Sequence, residues 1–366
     1  MVYLKNILVI VLIFSGTFIS CNESENSDNT FQPEKTNVKP LNNRRIGLDL
    51  LNLTETNSFN DNLAFAKQLN INFIALHLNW TSIETSANSF IDPEGTIKAL
   101  NNVAKANHLK FSLTIRPIDL SGKTVPEDLE MTRFNDSIMV NRFKTLIDFI
   151  FAQIDTNILL NFQIGNEIDG YNISNENPEF WGDYGTFLKE ISTYIYSKNK
   201  NIKVGFTGTL PGLIHQSTLF NNLIENVDIL GVTYYPLNAE FKVKNKNSVL
   251  EDFKNITDNF PAKPIYFQEV GLPSGSENNS SEEIQSEFYK EIFRAWDTYD
   301  SQIKTINFVR LNDVSKTEAN NLAIPYGITN KSFIEYLRTL GIRTFEKKGI
   351  NKAAFNTLVS EINKRK

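Results

Sequence analysis

From Arg45 onward the chain alternates short β-branched or apolar runs with longer segments whose apolar residues recur every three or four positions. The first pattern predicts strands and the second amphipathic helices, so their regular succession predicts parallel strands joined by helical crossovers. Eight strand-like runs stand out: Ile46–Leu50, Phe73–Leu78, Lys110–Ile115, Leu159–Gly165, Lys203–Thr207, Ile229–Tyr234, Pro264–Gln268 and Thr305–Leu311. Candidate helices lie at Asp61–Leu69, Ile97–Asn107, Asn141–Gln153, Gly185–Lys198, Ser248–Asn259, Glu282–Tyr299 and Asn351–Asn363. Eight strand-helix units over about 320 residues fit one α/β domain, a single (β/α)8 TIM barrel at 44–366, with a doubly wound open sheet as the alternative.

Alternation gives each strand two faces. Ile46, Leu48 and Leu50, Leu76 and Leu78, Phe111, Leu113 and Ile115, and Leu230 and Val232 keep one parity, while the other carries Gly47, Asp49, His77, Asn79, Thr114, Arg116, Gly231 and Thr233. The large apolar parity is expected under the helices and the small or polar parity inside the barrel.

Residues 1–20 do not fit this scheme. One positive charge at Lys5, the apolar stretch Ile7–Phe14 and small or apolar residues up to the single cysteine, Cys21, read as a signal peptide. Phe18–Cys21 resembles the lipobox of bacterial lipoproteins, which implies lipidation of Cys21; a free or buried cysteine after an uncleaved apolar helix is the alternative. The polar stretch 21–43 reads as a flexible tether. Its acidic residues beside the cysteine resemble the surface-export signal of lipoproteins from Bacteroidota, which implies a protein lipid-anchored to the outer membrane and facing the cell surface.

The 366 residues carry 37 Lys plus Arg against 42 Asp plus Glu, a formal charge of -5, and no long basic run, which argues against nucleic acid as a partner. One cysteine and three scattered histidines, His77, His108 and His215, suggest neither a disulfide framework nor a protein-held metal. Without a Walker loop, a Gly-x-Gly-x-x-Gly turn or a Gly-x-Ser-x-Gly elbow, no nucleotide cofactor and no serine nucleophile is expected.

Two segments carry candidate chemistry. The fourth strand run ends in Asn166-Glu167 before a long polar and aromatic loop, and the seventh ends in Gln268-Glu269. Groups at the C-terminal ends of barrel strands project into one mouth, and strands four and seven face each other across it. Two carboxylic acids so placed supply what glycosidic cleavage needs: one protonates the leaving oxygen, and the other attacks the anomeric carbon or activates water. One must stay protonated while its partner is ionised, so their surroundings have to differ. Taken singly, each glutamate also reads as a solvated strand-end acid or an ion-pair partner.

Strand four ending in Asn-Glu, strand seven ending in Glu and eight strand-helix units around them resemble clan A of the glycoside hydrolases, retaining β-glycosidases on a (β/α)8 barrel. The resemblance implies Glu167 as acid/base, Glu269 as nucleophile and Asn166 as the partner of the sugar 2-hydroxyl next to the scissile bond. Asp228–Pro236 resembles strand six of the endo-β-1,4-galactanases and Gln163–Ile168 their strand four, which points to β-galactan. The eighth run, Phe308–Asp313, lacks the tryptophan that many clan A members carry there, and strand two reads His77-Leu-Asn-Trp80 where the galactanases have arginine.

Tyr235 falls on the mouth-facing parity, suited to donate its phenol to the nucleophile, whereas Tyr234 falls on the packing parity. Asp49, His77, Asn79, Trp80 and Arg116 sit at strand ends as candidate substrate contacts. Arg116 suits a sugar hydroxyl or acidic group, or an internal ion pair with Asp49 or Asp119. His77 also reads as a satisfied interior histidine, and Trp80 as a stacking platform or as packing in Trp80–Glu84. The loops after Glu167 and at 312–331 offer Tyr171, Trp181 and Tyr326 as flat faces for a carbohydrate, with Trp181 read first as core. The sequence thus predicts a β-glycoside hydrolase on a carbohydrate substrate; the alternative is a glycan-binding lipoprotein without turnover, motivated by the atypical eighth strand.

Overall fold

The computed structural model describes residues 38–175 and 179–366; the expected signal peptide, Cys21 and most of the expected tether lie outside the described residues. Eight parallel strands form the barrel: β1 (Arg45–Leu48), β2 (Phe73–Asn79), β3 (Lys110–Asp119), β4 (Leu159–Asn166), β5 (Lys203–Thr209), β6 (Ile229–Tyr234), β7 (Ile265–Val270) and β8 (Ile303–Phe308). Each pairs with its sequence neighbour, and β8 pairs back to β1 with Ile306 opposite Ile46, so the sheet is closed and the open-sheet alternative is excluded.

The main helices are α1 (Phe59–Gln68), α2 (Thr96–Ala106), α3 (Ser137–Phe151), α4 (Phe180–Lys198), α5 (Ser217–Ile224), α6 (Ser248–Asn259), α7 (Glu282–Thr298), α8 (Lys316–Ala323), α9 (Lys331–Arg338) and α10 (Ala353–Asn363). Starts are set by side-chain caps. Ser58 and Asp61 form a reciprocal capping box on α1, Asp136 accepts from the Ile138 amide and starts α3 ahead of the predicted Asn141, and Ser281 caps α7. Among the described residues, α5, α8 and α9 have no counterpart in the predicted helices, because eight residues are too few for a periodicity to declare itself.

The two strand faces separate as alternation requires. Phe111, Leu113, Ile115, Phe162, Ile164, Phe206, Leu230 and Val232 are buried beneath the helices in one continuous core, each such side chain contributing roughly 1.5–3 kcal/mol over exposure. Inside the barrel, Phe73, Ala75 and Tyr266 form a separate apolar floor. A Cβ at position 47 would collide with the Phe73 ring, so Gly47 is what lets that ring fill the floor. Above it lies a polar layer, with Ser112 donating to Asn161 at 2.8 Å and both Thr114 and Thr207 donating to Gln268 Oε1 at 3.0 and 2.8 Å.

The end of the expected tether is not free. Lys39 pairs with Asp300 at 2.8 Å, and the Leu41 amide donates to the Arg365 carbonyl at 2.8 Å, so the packed domain begins a few residues before position 44. The segment after β8, expected as a long loop, folds into α8 and α9, which build a satellite core of Val314, Ala319, Ala323, Phe333 and Leu337 on the rim. No helix among the described residues is long and apolar enough to cross a membrane.

Candidate active site

A cavity of about 490 Å³ opens at the C-terminal ends of the strands. Asp49, His77, Arg116, Asn166, Glu167, Tyr235 and Glu269 all line it, joined by Asp119, Asn307 and Arg310 and by an apolar wall from α8, α9 and the loop after β6. Trp80 does not. Its indole is fully buried, packs edge-on to Phe143 at 4.9 Å and donates to Glu84 at 2.7 Å, so the expected sugar contact is corrected to a packing role. The reason is local: Trp80 opens a short helix that turns outward from the end of β2 and points the ring under α3.

Strict alternation cannot place Asn166 and Glu167 on one side of the sheet, yet both face the cavity. The backbone solves this with left-handed turns, φ +85° at Gly165 and +47° at Glu167. A side chain at 165 would strike the Tyr184 hydroxyl, and a glutamate at positive φ is a strained conformation of the kind found at functional sites. Asp169 then pins the following turn, accepting from the Thr209 amide and hydroxyl at 2.9 and 2.7 Å. On β7 the register with β6 slips between Phe267 and Glu269, which brings Gln268 into the polar layer and Glu269 into the mouth.

Gln268 is a hub that the strand pattern marks only as a polar neighbour. Besides holding Thr114 and Thr207, it donates to Asn166 Oδ1 at 2.9 Å, and its own carbonyl accepts from Asn307 at 3.1 Å. Asn166 Nδ2 donates to Asp119 Oδ1 at 3.1 Å, and Asp119 pairs with Arg116 at 2.8 Å. The Asn166 amide is therefore fixed from both ends, with one N–H left for a ligand.

The two glutamates sit in unlike surroundings. Glu167 accepts one hydrogen bond, from Thr233 at 2.6 Å; burial and the negative charge of Glu269 push its carboxyl well above the ordinary glutamate value. For Glu269 burial also acts upward, but His77, whose Nδ1 lies 3.6 Å from Oε1, the Tyr235 phenol, which donates to Oε2 at 2.7 Å, and the charge of Arg116 outweigh it and hold the carboxyl below the ordinary value. Burial and the charge of Glu269 keep Tyr235 protonated and hence a donor. Tyr336 meets the Tyr235 ring edge-on at 5.5 Å and supports it from α9.

Of the remaining aromatic candidates, Tyr326 lines the cavity, Tyr171 packs against Phe134 and Phe180, Trp181 is buried edge-on to Phe220, and Tyr234 is buried with its hydroxyl donating to Asp252 at 2.7 Å. Asn79 does not line the cavity. Thr233 was marked by its parity, whereas Arg310 falls inside the expected run Thr305–Leu311 but beyond the observed end of β8 at Phe308, and Tyr336 lies on α9, a helix the sequence pattern did not predict. Among the described residues, no group of three His, Cys, Asp or Glu side chains is placed to hold a metal ion.

No protein-family model matches the chain, and no curated protein is similar to it by sequence. Solved structures share its fold. A family 39 glycoside hydrolase from Bacteroides cellulosilyticus WH2 superposes with a TM-score of 0.60 at 12% identity, over 88% of this chain and 64% of that one. The exo-β-1,4-mannosidase Op5Man5 from Opitutaceae bacterium strain TAV5 gives 0.63 at 12% identity, over 87% and 59%. The GH53 catalytic domain of Ignisphaera aggregans gives 0.60 at 13% identity, over 88% and 97%. The chain thus spans less than two thirds of the first two. These neighbours are glycosidases, and what the chain shares with them at such identities is the (β/α)8 barrel.

Proposed function

We propose that this protein is a retaining β-glycoside hydrolase, with Glu269 as nucleophile and Glu167 as acid/base. One observation carries the reading: two carboxyl groups share a cavity while their surroundings push one well above and hold the other below the ordinary glutamate value. Glu269 attacks the anomeric carbon as Glu167 gives its proton to the departing oxygen. Glu167, now ionised, takes a proton from water, which attacks the same carbon and frees Glu269, so two inversions leave the configuration unchanged. Tyr235 and His77 keep Glu269 ionised, and the free N–H of Asn166 takes the sugar 2-hydroxyl. Asp49 and Arg116 receive further hydroxyls.

The substrate class is a β-linked oligosaccharide or polysaccharide, and the strand resemblance favours β-galactan among neutral glycans. The lipobox-like Phe18–Cys21 supports a lipid anchor, and the acidic residues after Cys21 support a place on the outer membrane facing outward. The reading is tested by incubating residues 22–366 with galactan, mannan, xylan, glucan and algal polysaccharides and assaying reducing ends. At least one is expected to be cut, and Glu167→Gln and Glu269→Gln to lose about 10²-fold or more of the rate. Saturable binding without release from any of them would favour the binding-protein alternative.

A further inference from the structure

We infer that the glycan taken by this site is anionic, and that Arg310 receives a carboxylate or sulfate ester carried by the sugar chain on the α9 side of the mouth. The inference rests on the glycosidase reading of this cavity and adds the chemical class of its substrate.

Arg310 follows β8 and lines the cavity. Its one hydrogen bond runs from Nη1 to the Leu337 carbonyl at 2.8 Å, near the C-terminal end of α9, and among the described residues no carboxylate lies within ion-pair distance of it. The other guanidinium of the cavity is already matched, since Arg116 pairs with Asp119 at 2.8 Å. The Nε of Arg116 is sealed off without a partner, whereas no nitrogen of Arg310, which lines the cavity, is a buried orphan.

The surroundings of Arg310 sharpen its preference. Phe241, Phe333, Tyr336, Leu337 and Leu340 line the same cavity, and among their side chains the Tyr336 hydroxyl is the one polar group. A guanidinium in such a setting presents a planar fork that matches two oxygens of one anionic group, and such charge-assisted bonds are roughly twice as strong as neutral ones. It is also near enough to Tyr235 and Tyr336 to oppose the upward push of burial on both phenols. A substituent held by Arg310 therefore lies close to the sugar that Glu269 attacks. Asp49, Asp119 and Glu269 also line the cavity, and Arg310 is the guanidinium there that none of them is paired with.

The test uses Glu167→Gln, which keeps the size of the side chain while removing the acid that turnover requires, so that binding is read without hydrolysis. The variant is titrated calorimetrically with oligosaccharides of a neutral set (galactan, mannan, xylan, laminarin), a uronate set (polymannuronate, heparosan, chondroitin) and a sulfated set (carrageenan and its desulfated form). One anionic set is expected to bind at least about tenfold more tightly than the neutral set, with the advantage shrinking in salt. Which set responds distinguishes uronate from sulfate. Adding Arg310→Gln is expected to abolish the ratio of anionic to neutral affinity, and Arg310→Lys to restore part of it. Melting curves of both variants report separately on the lost bond to Leu337. A neutral glycan that binds as tightly as every anionic one, or a preference that survives Arg310→Gln, overturns the inference and leaves the hydrolase reading standing. Absence of binding to all three sets overturns both.

Discussion

Glu167 and Glu269 are the same side chain made into two reagents by what faces them. Glu167 has a single hydroxyl donor and a negative neighbour, while Glu269 has a phenol, an imidazole and a guanidinium. The pH profile of kcat/KM should be a bell whose acid limb reports Glu269 and whose alkaline limb reports Glu167. Removing a donor raises the pKa of the anion it served, so Tyr235→Phe and His77→Gln are expected to move the acid limb to higher pH and leave the alkaline limb in place. An unmoved acid limb in both variants would contradict the assignment. A second outcome follows by linkage. A carboxyl whose folded pKa exceeds its unfolded one loses stability as pH rises through that interval. Glu167→Gln should therefore melt above the wild type at neutral pH, with the gap closing toward about pH 4; a variant that melts lower at neutral pH would contradict the raised pKa. At this scale the sequence announces residue types but not directions. Asn166 and Glu167 share the cavity only through two left-handed residues, and Trp80 leaves it because a short helix turns the ring outward.

The strands were the most legible elements, because burial of one face and a polar interior impose a period of two on β2, β3 and β6. Where that period slips, at Gln268-Glu269, the pattern allows one of the two inside, and the hub role of Gln268 stays hidden. The least legible stretch was the segment after β8, whose two short helices start at the caps Ser315 and Asn330 but run for only eight residues each. Lys352 is its brace. The buried ammonium reaches Ser274 after β7, Asp313 after β8 and the Gly341 carbonyl, at 2.9, 2.7 and 2.8 Å. Burial pushes Asp313 up to about 6 even with Lys352 beside it. Lys352→Met leaves that acid without its cation and is expected to cost about 3–5 kcal/mol in denaturant melts, most of which Asp313→Leu in the same chain should restore. Additive losses from the two substitutions would show that the pair is not the brace.

Taken whole, the barrel has its cavity at one end and its chain entrance at the other. Leu41 bonds to Arg365 and Lys39 to Asp300, which precedes β8, so the tether joins at the N-terminal face of the strands. If Cys21 is the anchor and the acidic residues after it direct export to the cell surface, the cavity meets polymers in the medium. Intact cells should then degrade a glycan too large to enter them, and Cys21→Ala should release the activity into the soluble fraction; activity seen only after lysis would contradict an outward-facing enzyme. The closed barrel follows from eight regular repeats, but the pairing of β8 with β1 that closes it is a long-range contact that no local pattern states. The chemistry proposed for the whole depends on one covalent event. Intact-mass analysis and peptide mapping after exposure to an activated 2-deoxy-2-fluoro-β-glycoside of the sugar released in the reducing-end assay test it most directly. A single glycosyl adduct on Glu269, lost in Glu269→Gln, is the expected result; an adduct on another residue, or hydrolysis with inversion and no adduct, would contradict the account.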